Sequence, residues 1–337
     1  MQLLTYLARF RHVVLLFSAL ILAGCSDSSS APPGSSQASQ SSDQHAVGAS
    51  RFVVLSPALG VMLRDIGFED SIVGRHSYDT TLAKSIPVVG SHIEIDYELL
   101  ITLDPTDLFF ERNTVEIPRR VRQLADEHGW LIWTYQLETL DDIASTVDDL
   151  YLKLVGFKEK KTDDGNLFEI DIDPTSKFDV ELPSARLAQS WSPLGRAGES
   201  AGRMLILAGV DPPGAMGPGS FHAQLIERLG VSAAITEGGM WQELDYEDII
   251  ELAPDSILVF MPREPSAVDL IGEPEKMTQK EIAEKVGGIA TLPIPASTNG
   301  RIAIIEHPLG LLPSTSLASV ADEVADAVRA WYERSEP

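Results

Sequence analysis

The chain has 337 residues, of which 50 are acidic and 26 are basic, and its formal net charge at pH 7 is −24. A surface of this charge repels phosphate backbones, so nucleic acid is excluded as a natural partner. Hydrophobic residues make up 44% of the sequence, as in globular domains, and the one cysteine, Cys25, excludes a disulfide within the chain.

The first 24 residues have the pattern of a secretory signal. Arg9 and Arg11 precede an apolar run over 13–22 that is too short to span a bilayer. Leu22-Ala23-Gly24-Cys25 then resembles the bacterial lipobox, whose cysteine is acylated and becomes the N-terminus after cleavage. We therefore predict a lipid anchor on Cys25, on the extracytoplasmic side of a membrane; the alternative is a free thiol in an uncleaved membrane segment. Residues 25–50 are mostly Ser, Gln, Ala, Gly and Pro, which predicts a flexible tether.

Apolar runs alternate with helical patterns after residue 50. Phe52-Val53-Val54-Leu55 predicts a buried parallel strand, and Ser56-Pro57 predicts the cap and first residue of a helix that stops at Gly67. Further strands are predicted at 72–73, 88–89, 108–110 and 131–133. This alternation predicts a doubly wound α/β lobe with a mainly parallel sheet over residues 51–138.

A second lobe is predicted over residues 203–337. It begins with a strand at 204–207, followed by a loop rich in Gly and Pro and by a helix from Ser220 to Leu229. Two later strands are predicted at 257–260 and 302–305, and apolar residues at four-residue spacing predict a closing helix over 316–332.

Two segments are predicted between the lobes. Thr139 and Asp142 have the spacing of a capping box, which predicts a helix over 139–157 that runs toward Leu154. Residues 158–202 are predicted to be an insertion containing a hairpin, because alternating apolar residues at 168–172 and 178–182 flank a turn at 173–175. We expect a surface ornament there; the alternative is an extra contact with a partner.

An internal repeat relates the two lobes. Residues 95–105 are echoed by residues 244–254, and both copies contain Asp-Tyr-Glu, similarly spaced apolar residues and a closing proline. The repeat predicts two lobes built on one plan.

In their order and spacing these segments resemble the periplasmic binding proteins of ABC importers for ferric siderophores, haem and cobalamin. The resemblance covers nearly all of the folded region and is carried by residues 54–57, 72–74, 87–90, 103–108, 217–221, 253–257 and 299–302. It implies an α/β fold with two doubly wound lobes, joined by a single long helix and separated by a ligand cleft. It also implies a binding protein without enzymatic activity or resident cofactor, whose partners are an importer permease and an iron chelate, haem or corrinoid.

Ligand groups in such a fold are expected in loops at the carboxyl ends of strands. Histidine is a common ligand of transition metals and haem iron, and the predicted loops contain His76, His92, His222 and His307. Nearby groups that can supply oxygen ligands are Tyr78, Glu94, Glu111 and Glu306. Arg75, Arg112 and Arg263 can bind carboxylates, and Trp241 and Phe221 can form apolar walls. For each side chain the alternative is structural: a hydrogen-bonding histidine, an arginine paired with the protein's own acids, or an aromatic ring in the core.

The resemblance also implies docking residues. In the vitamin B12-binding relatives, a glutamate on each lobe docks against arginines of the permease, and the repeat predicts Glu98 and Glu247 for this role. Each glutamate also stands at a predicted helix start, where a carboxylate is favourable without any partner.

Two other classes of function remain as alternatives. The sequence contains no Gly-x-Ser-x-Gly, P-loop or His-Glu-x-x-His motif. A metal-dependent hydrolase with His76, His92 and His307 as ligands is one alternative. A lipoprotein scaffold that has lost its ligand is the other.

Overall fold

The computed structural model describes residues 50–335 except for residue 92 and the segments 113–115, 156–158, 162–167, 171–181 and 264–276. The predicted signal, the lipobox with Cys25 and nearly all of the tether lie outside the described residues, as does His92. Within the described ranges, no helix is long and apolar enough to cross a membrane.

The first lobe is the predicted doubly wound unit. Its five parallel strands have the order β3-β2-β1-β4-β5. These strands are β1 (Phe52–Val54), β2 (Ile72–His76), β3 (Val88–Gly90), β4 (Asp107–Glu111) and β5 (Leu131–Tyr135), and the helices are α1 (Pro57–Asp65), α2 (Tyr97–Leu103) and α3 (Arg119–His128). The Ser56 hydroxyl caps α1 as predicted, and Gly67 follows its end with φ +91°.

The predicted inter-lobe helix begins at its predicted cap. Helix α4 (Leu140–Leu154) has a capping box in which Thr139 and Asp142 exchange hydrogen bonds. It packs against α1 of the first lobe and against the helix of the second lobe that contains Gln224 and Arg228. The Leu140 backbone N–H donates to the Gln224 side-chain oxygen at 3.1 Å, and Arg228 pairs with Asp141.

The segment predicted as an insertion contains more than a hairpin. The described part of 158–202 consists of an antiparallel pair, β6 (Glu159–Lys161) and β7 (Phe168–Ile170), followed by α5 (Pro183–Ser190) and α6 (Arg196–Ser200). The predicted turn and most of the second predicted strand lie outside the described residues. The prediction of a surface ornament is wrong for α5. Leu187 and the adjoining Trp191 are buried in an apolar core together with Leu317, and the Trp191 indole N–H donates to the Leu317 carbonyl at 3.3 Å.

The second lobe has a mixed sheet. Its path is β11-β9-β8-β12-β13, with β10 pairing beside β8. The strands are β8 (Arg203–Val210), β9 (Pro213–Met216), β10 (Ser232–Ala233), β11 (Trp241–Glu243), β12 (Ser256–Phe260) and β13 (Ile302–Ile305). The helices are α7 (Phe221–Arg228), α8 (Tyr246–Leu252), α9 (Gln279–Val286), α10 (Pro295–Thr298) and α11 (Leu317–Ser335). The prediction of a loop rich in Gly and Pro after β8 is partly wrong, because residues 213–216 form β9, which pairs antiparallel with β8.

Three apolar cores follow from the alternation of side chains along buried strands. Phe52 and Val54 of β1 enter one core together with Met204 and Ile206 of β8, so this common core belongs to both lobes. The intervening residues of each strand point to the outer face of their own sheet, where α2 and α3 cover the first sheet and α8 and α9 cover the second.

The repeat is confirmed in atomic detail. Helices α2 and α8 are both capped by the aspartate of Asp-Tyr-Glu, and both end on a residue with φ +42°. The Arg51 guanidinium donates to the Leu103 and Asp104 carbonyls at the end of α2. Arg203, which begins β8, donates likewise to the carbonyls of Leu252 and Ala253 at 2.6 and 3.0 Å.

We predict that Arg203→Met lowers the free energy of unfolding by about 1 to 2 kcal/mol, because two terminal helix carbonyls lose a charged donor. Urea unfolding measures this loss. Arg329→Met is the control, since Arg329 forms an exposed ion pair with Asp326 of the same helix, at 3.4 Å. Equal stability of the two variants would contradict the structural role of Arg203.

Candidate functional site

The candidate site is the carboxyl edge of the first sheet and the corresponding edge of the second. Parallel strands end together, so loops after β1, β2, β3 and β4 share one edge. In the second lobe, the loops after β12 and β13 share the equivalent edge. Most of the predicted ligand residues lie in these loops.

His76 and Tyr78 adjoin each other at the end of β2. The His76 ring is buried and its Nδ1 accepts a hydrogen bond from the Tyr78 backbone N–H at 3.0 Å. The Tyr78 ring lies 5.5 Å from the His76 ring between centroids, and Tyr78 is 79% exposed. The pair therefore combines a fixed imidazole with a solvent-accessible phenol.

His307 repeats this arrangement after β13. Its Nδ1 accepts a hydrogen bond from the Leu309 backbone N–H at 3.2 Å. The hydrogen bond that Nδ1 accepts from the backbone two residues later fixes the orientation of the ring at both histidines.

The loop between β3 and α2 forms an open depression. The depression has a volume of ≈ 520 Å³ and is lined by residues 88–90 and 93–97. Gly90 is required there, because a Cβ at this position would lie 1.9 Å from the Glu94 carbonyl oxygen and φ is +128°. Glu94 is exposed at the depression, and Ile93 is 72% exposed beside it. The loop thus offers both a carboxylate and an apolar surface.

Glu111 and the arginines of the first lobe have different environments. Glu111, at the end of β4, is partly buried and accepts a hydrogen bond from the Ser56 hydroxyl at 2.9 Å. Arg112 is exposed at the same edge. Arg75 donates to the Ile86 and Asp79 carbonyls, so its guanidinium holds the loop after β2.

A charged cluster lies at the carboxyl edge of the second sheet. Glu306 follows β13 and forms an ion pair with Lys285 of α9, and its carbonyl accepts from the Arg263 backbone N–H. Burial raises the pKa of Glu323 in α11 to about 7, an effect that Arg263 opposes and Glu306 reinforces. Sequence reasoning missed Glu323 and Lys285, because each lies on a helix with an ordinary amphipathic pattern.

His222 is a core residue, and its burial contradicts the prediction that it contacts a ligand. It lies in the first turn of α7 with its ring 4.1 Å from that of Phe221 and 4.7 Å from that of Phe260, between centroids. Its Nε2 donates to the Gly310 carbonyl at 2.8 Å, which anchors the loop before α11. Burial lowers the pKa of His222 to about 4.

The two predicted apolar walls differ in position. Trp241 lies on the edge strand β11, half exposed, and its ring covers Gly214, where an added Cβ would lie 2.2 Å from the indole. Phe221 is partly buried and packs against the common core.

The predicted docking residues Glu98 and Glu247 are both exposed, in the first turns of α2 and α8. Each helix follows a strand that ends at the carboxyl edge of its sheet, so the helix starts at that edge. It ends beside Arg51 in the first lobe and beside Arg203 in the second. The two glutamates therefore lie at the same edges as the candidate ligand loops.

Groups of three or more His, Cys, Asp or Glu side chains able to hold a metal ion do not occur among the residues that the structure describes. The hydrolase alternative requires His92, which lies outside them.

Several solved structures share this fold. The periplasmic vitamin B12 binding protein BtuF of Vibrio cholerae matches with a TM-score of 0.56 at 16% identity, over 84% of this chain and 98% of that one. The periplasmic haem binding protein HutB of the same organism matches with a TM-score of 0.56 at 18% identity, over 82% and 98%. A possible iron-binding periplasmic protein of Staphylococcus epidermidis matches with a TM-score of 0.55 at 16% identity, also over 82% and 98%. No protein-family model and no curated protein matches the sequence.

The chain therefore has the two-lobed α/β fold of the periplasmic binding proteins for iron, haem and vitamin B12, as its sequence resemblance implied. At 16–18% identity, the structural similarity shows the fold but does not identify the ligand.

We predict that the wild-type protein loses stability relative to His222→Gln as the pH falls from about 6.5 toward 4. In the unfolded chain the imidazole binds a proton at its ordinary pKa, whereas in the folded chain its pKa is about 4. Folding is thus disfavoured through this window, by about 3 kcal/mol at its lower end.

Gln is the matched replacement because it keeps an N–H donor for the Gly310 carbonyl and does not titrate. Chemical denaturation of both proteins from pH 7 to pH 4 measures the difference. A stability difference that stays constant over this range would show that His222 exchanges protons as an exposed imidazole does.

Proposed function

We propose that this chain is a lipid-anchored extracytoplasmic substrate-binding protein that captures an iron chelate, haem or corrinoid and delivers it to an ABC importer. The observation that carries the proposal is the two-lobed fold with Tyr78, Glu94 and His307 in carboxyl-edge loops and His76 at the end of β2. His92, Glu111, Arg112, Glu306 and Trp241 are further proposed ligand residues, and the cleft between the lobes is the proposed binding site.

The proposed ligand is a metal chelate rather than a free metal ion. His76 and His307 each accept a backbone N–H through Nδ1, which fixes both rings at the carboxyl edges that would surround the chelate. The exposed Tyr78 phenol can ligate ferric iron or donate to the chelate. The exposed Ile93 side chain gives an apolar contact for the organic part of the same ligand.

No specific observation favours a hydrolase. The solved structures that share the fold are described as binding proteins. The hydrolase alternative needs His76, His92 and His307 as ligands, and His92 lies outside the described residues.

We expect a ferric siderophore, haem or cobalamin to stabilise the protein by about 2.7 kcal/mol at roughly a hundredfold excess over the Kd, because binding to the folded state alone shifts the unfolding equilibrium. Thermal unfolding with each compound measures this shift. Tyr78→Phe and His307→Ala should reduce it, whereas Tyr246→Phe, the same change at an exposed tyrosine of α8, should not. The absence of a shift with every compound would favour the scaffold alternative.

The proposed anchor predicts a different result for Cys25→Ser. This variant should fold as the wild type does and should appear in the soluble extracytoplasmic fraction, because a serine at this position cannot be acylated. Fractionation followed by thermal unfolding tests both parts. Unchanged membrane attachment of the variant would exclude Cys25 as the anchor.

We propose that Glu98 and Glu247 dock the protein onto the permease. Exposed charges at an interface mainly steer association and set orientation. The double variant Glu98→Gln and Glu247→Gln should therefore retain folding and ligand binding but support little uptake. The control is Glu227→Gln with Glu333→Gln, two exposed glutamates on other helices. Normal uptake by the first pair at normal abundance would exclude the docking role.

A further inference from the structure

Two exposed isoleucines occupy matching places in the two lobes. Ile101 of α2 is 38% exposed and Ile250 of α8 is 40% exposed. Each follows the glutamate of its lobe by three residues, so the two side chains adjoin on one face of the helix. Each lobe therefore presents a carboxylate next to an apolar side chain.

Core packing does not explain these isoleucines. The buried faces of α2 and α8 are supplied by Leu100 and Ile249, both fully buried in the outer cores of their lobes. A single exposed apolar residue is ordinary on a protein surface. Two at equivalent positions, each beside an equivalent glutamate, require a reason that both lobes share.

The neighbouring surface positions of the repeat have diverged. The residue after the isoleucine is Thr102 in one lobe and Glu251 in the other, and both are exposed. Between glutamate and isoleucine, the partly buried Leu99 corresponds to the exposed Asp248. After the shared Asp-Tyr-Glu, the isoleucine is thus the one position of residues 99–102 and 248–251 that is identical in both copies.

We propose that Ile101 and Ile250 form the apolar half of a paired docking surface, and that each inserts into an apolar depression beside a basic residue of the permease. This inference rests on the proposed function and deepens it. Two like faces fit a partner with two like sites, such as a permease of two related halves. A second copy of this chain fits poorly, because it would bring glutamates against glutamates on proteins of net charge −24.

The two kinds of side chain should affect docking differently. The glutamates attract the partner over a distance, so their loss slows association and weakens its dependence on salt. The isoleucines act only in contact, so their loss speeds dissociation at any salt concentration. This difference separates an apolar contact from a general change in surface charge.

The experiment measures association and dissociation rates of the full chain on its permease in lipid nanodiscs, at low and high salt. The permease is the one that co-purifies with the wild-type chain from its native membranes. The test variant is Ile101→Gln with Ile250→Gln, and the control is Leu131→Gln, an exposed apolar residue at the start of β5, outside both helices and the candidate ligand loops. We expect the test variant to bind about tenfold or more weakly through faster dissociation, and Leu131→Gln to bind as the wild type does.

Three other outcomes would overturn the inference. If the isoleucine variant dissociates as slowly as the wild type, the inference is overturned and the proposed function stands. If the wild-type chain binds no permease, the proposed delivery to an importer fails, and the inference fails with it. If the variant changes self-association while permease binding is unaffected, the surface contacts a second copy of the chain and the inference is wrong.

Discussion

The common apolar core is the constraint on which the arrangement of both lobes depends. The inner faces of the two sheets, helix α4 and helix α11 all bury side chains in it. Ile143, Val147 and Leu150 of α4 are fully buried there, together with Val320 and Val324 of α11. Separating the lobes would expose this surface to water at a cost of about 25 cal/mol per Å². The lobes are therefore one packed body, and movement between them is expected to be small.

This constraint explains why functional groups are confined to loops. The central strands of the first sheet, β1 and β4, are buried on both faces, so a polar side chain within them would lose its hydration. Polar residues become available where strands end, as at Tyr78, Glu111 and Glu306. The same geometry brings the starts of α2 and α8 to the carboxyl edge, so the proposed ligand and docking surfaces adjoin in each lobe.

The regular part of the fold could be predicted from the sequence because local signals agree with the final packing. Ser56 with Pro57 and Thr139 with Asp142 cap α1 and α4 as their spacing predicted. The antiparallel β9 was not predicted, because its four residues contain Pro213 and Gly214, which usually indicate a loop. The burial of α5 depends on contacts with α4 and α11, distant in sequence, which no local pattern reports.

The candidate site was less predictable because its chemistry depends on atoms rather than on residue types. The sequence treats His76, His222 and His307 alike, whereas the structure buries His222 against the Gly310 carbonyl and fixes the other two through backbone N–H groups that donate to Nδ1. The repeat was visible as Asp-Tyr-Glu, but the arginines that hold the ends of its helices were not, because Arg51 and Arg203 lie about fifty residues before the carbonyls they bind.

The proposed function requires that the chain holds one metal chelate without altering it. Native mass spectrometry of the purified protein, mixed with a ferric siderophore, haem or cobalamin, tests this requirement most directly. We expect a single chelate per chain, with its mass unchanged after release. Conversion of the chelate into a product, or the absence of a complex with every one of these compounds, would contradict it.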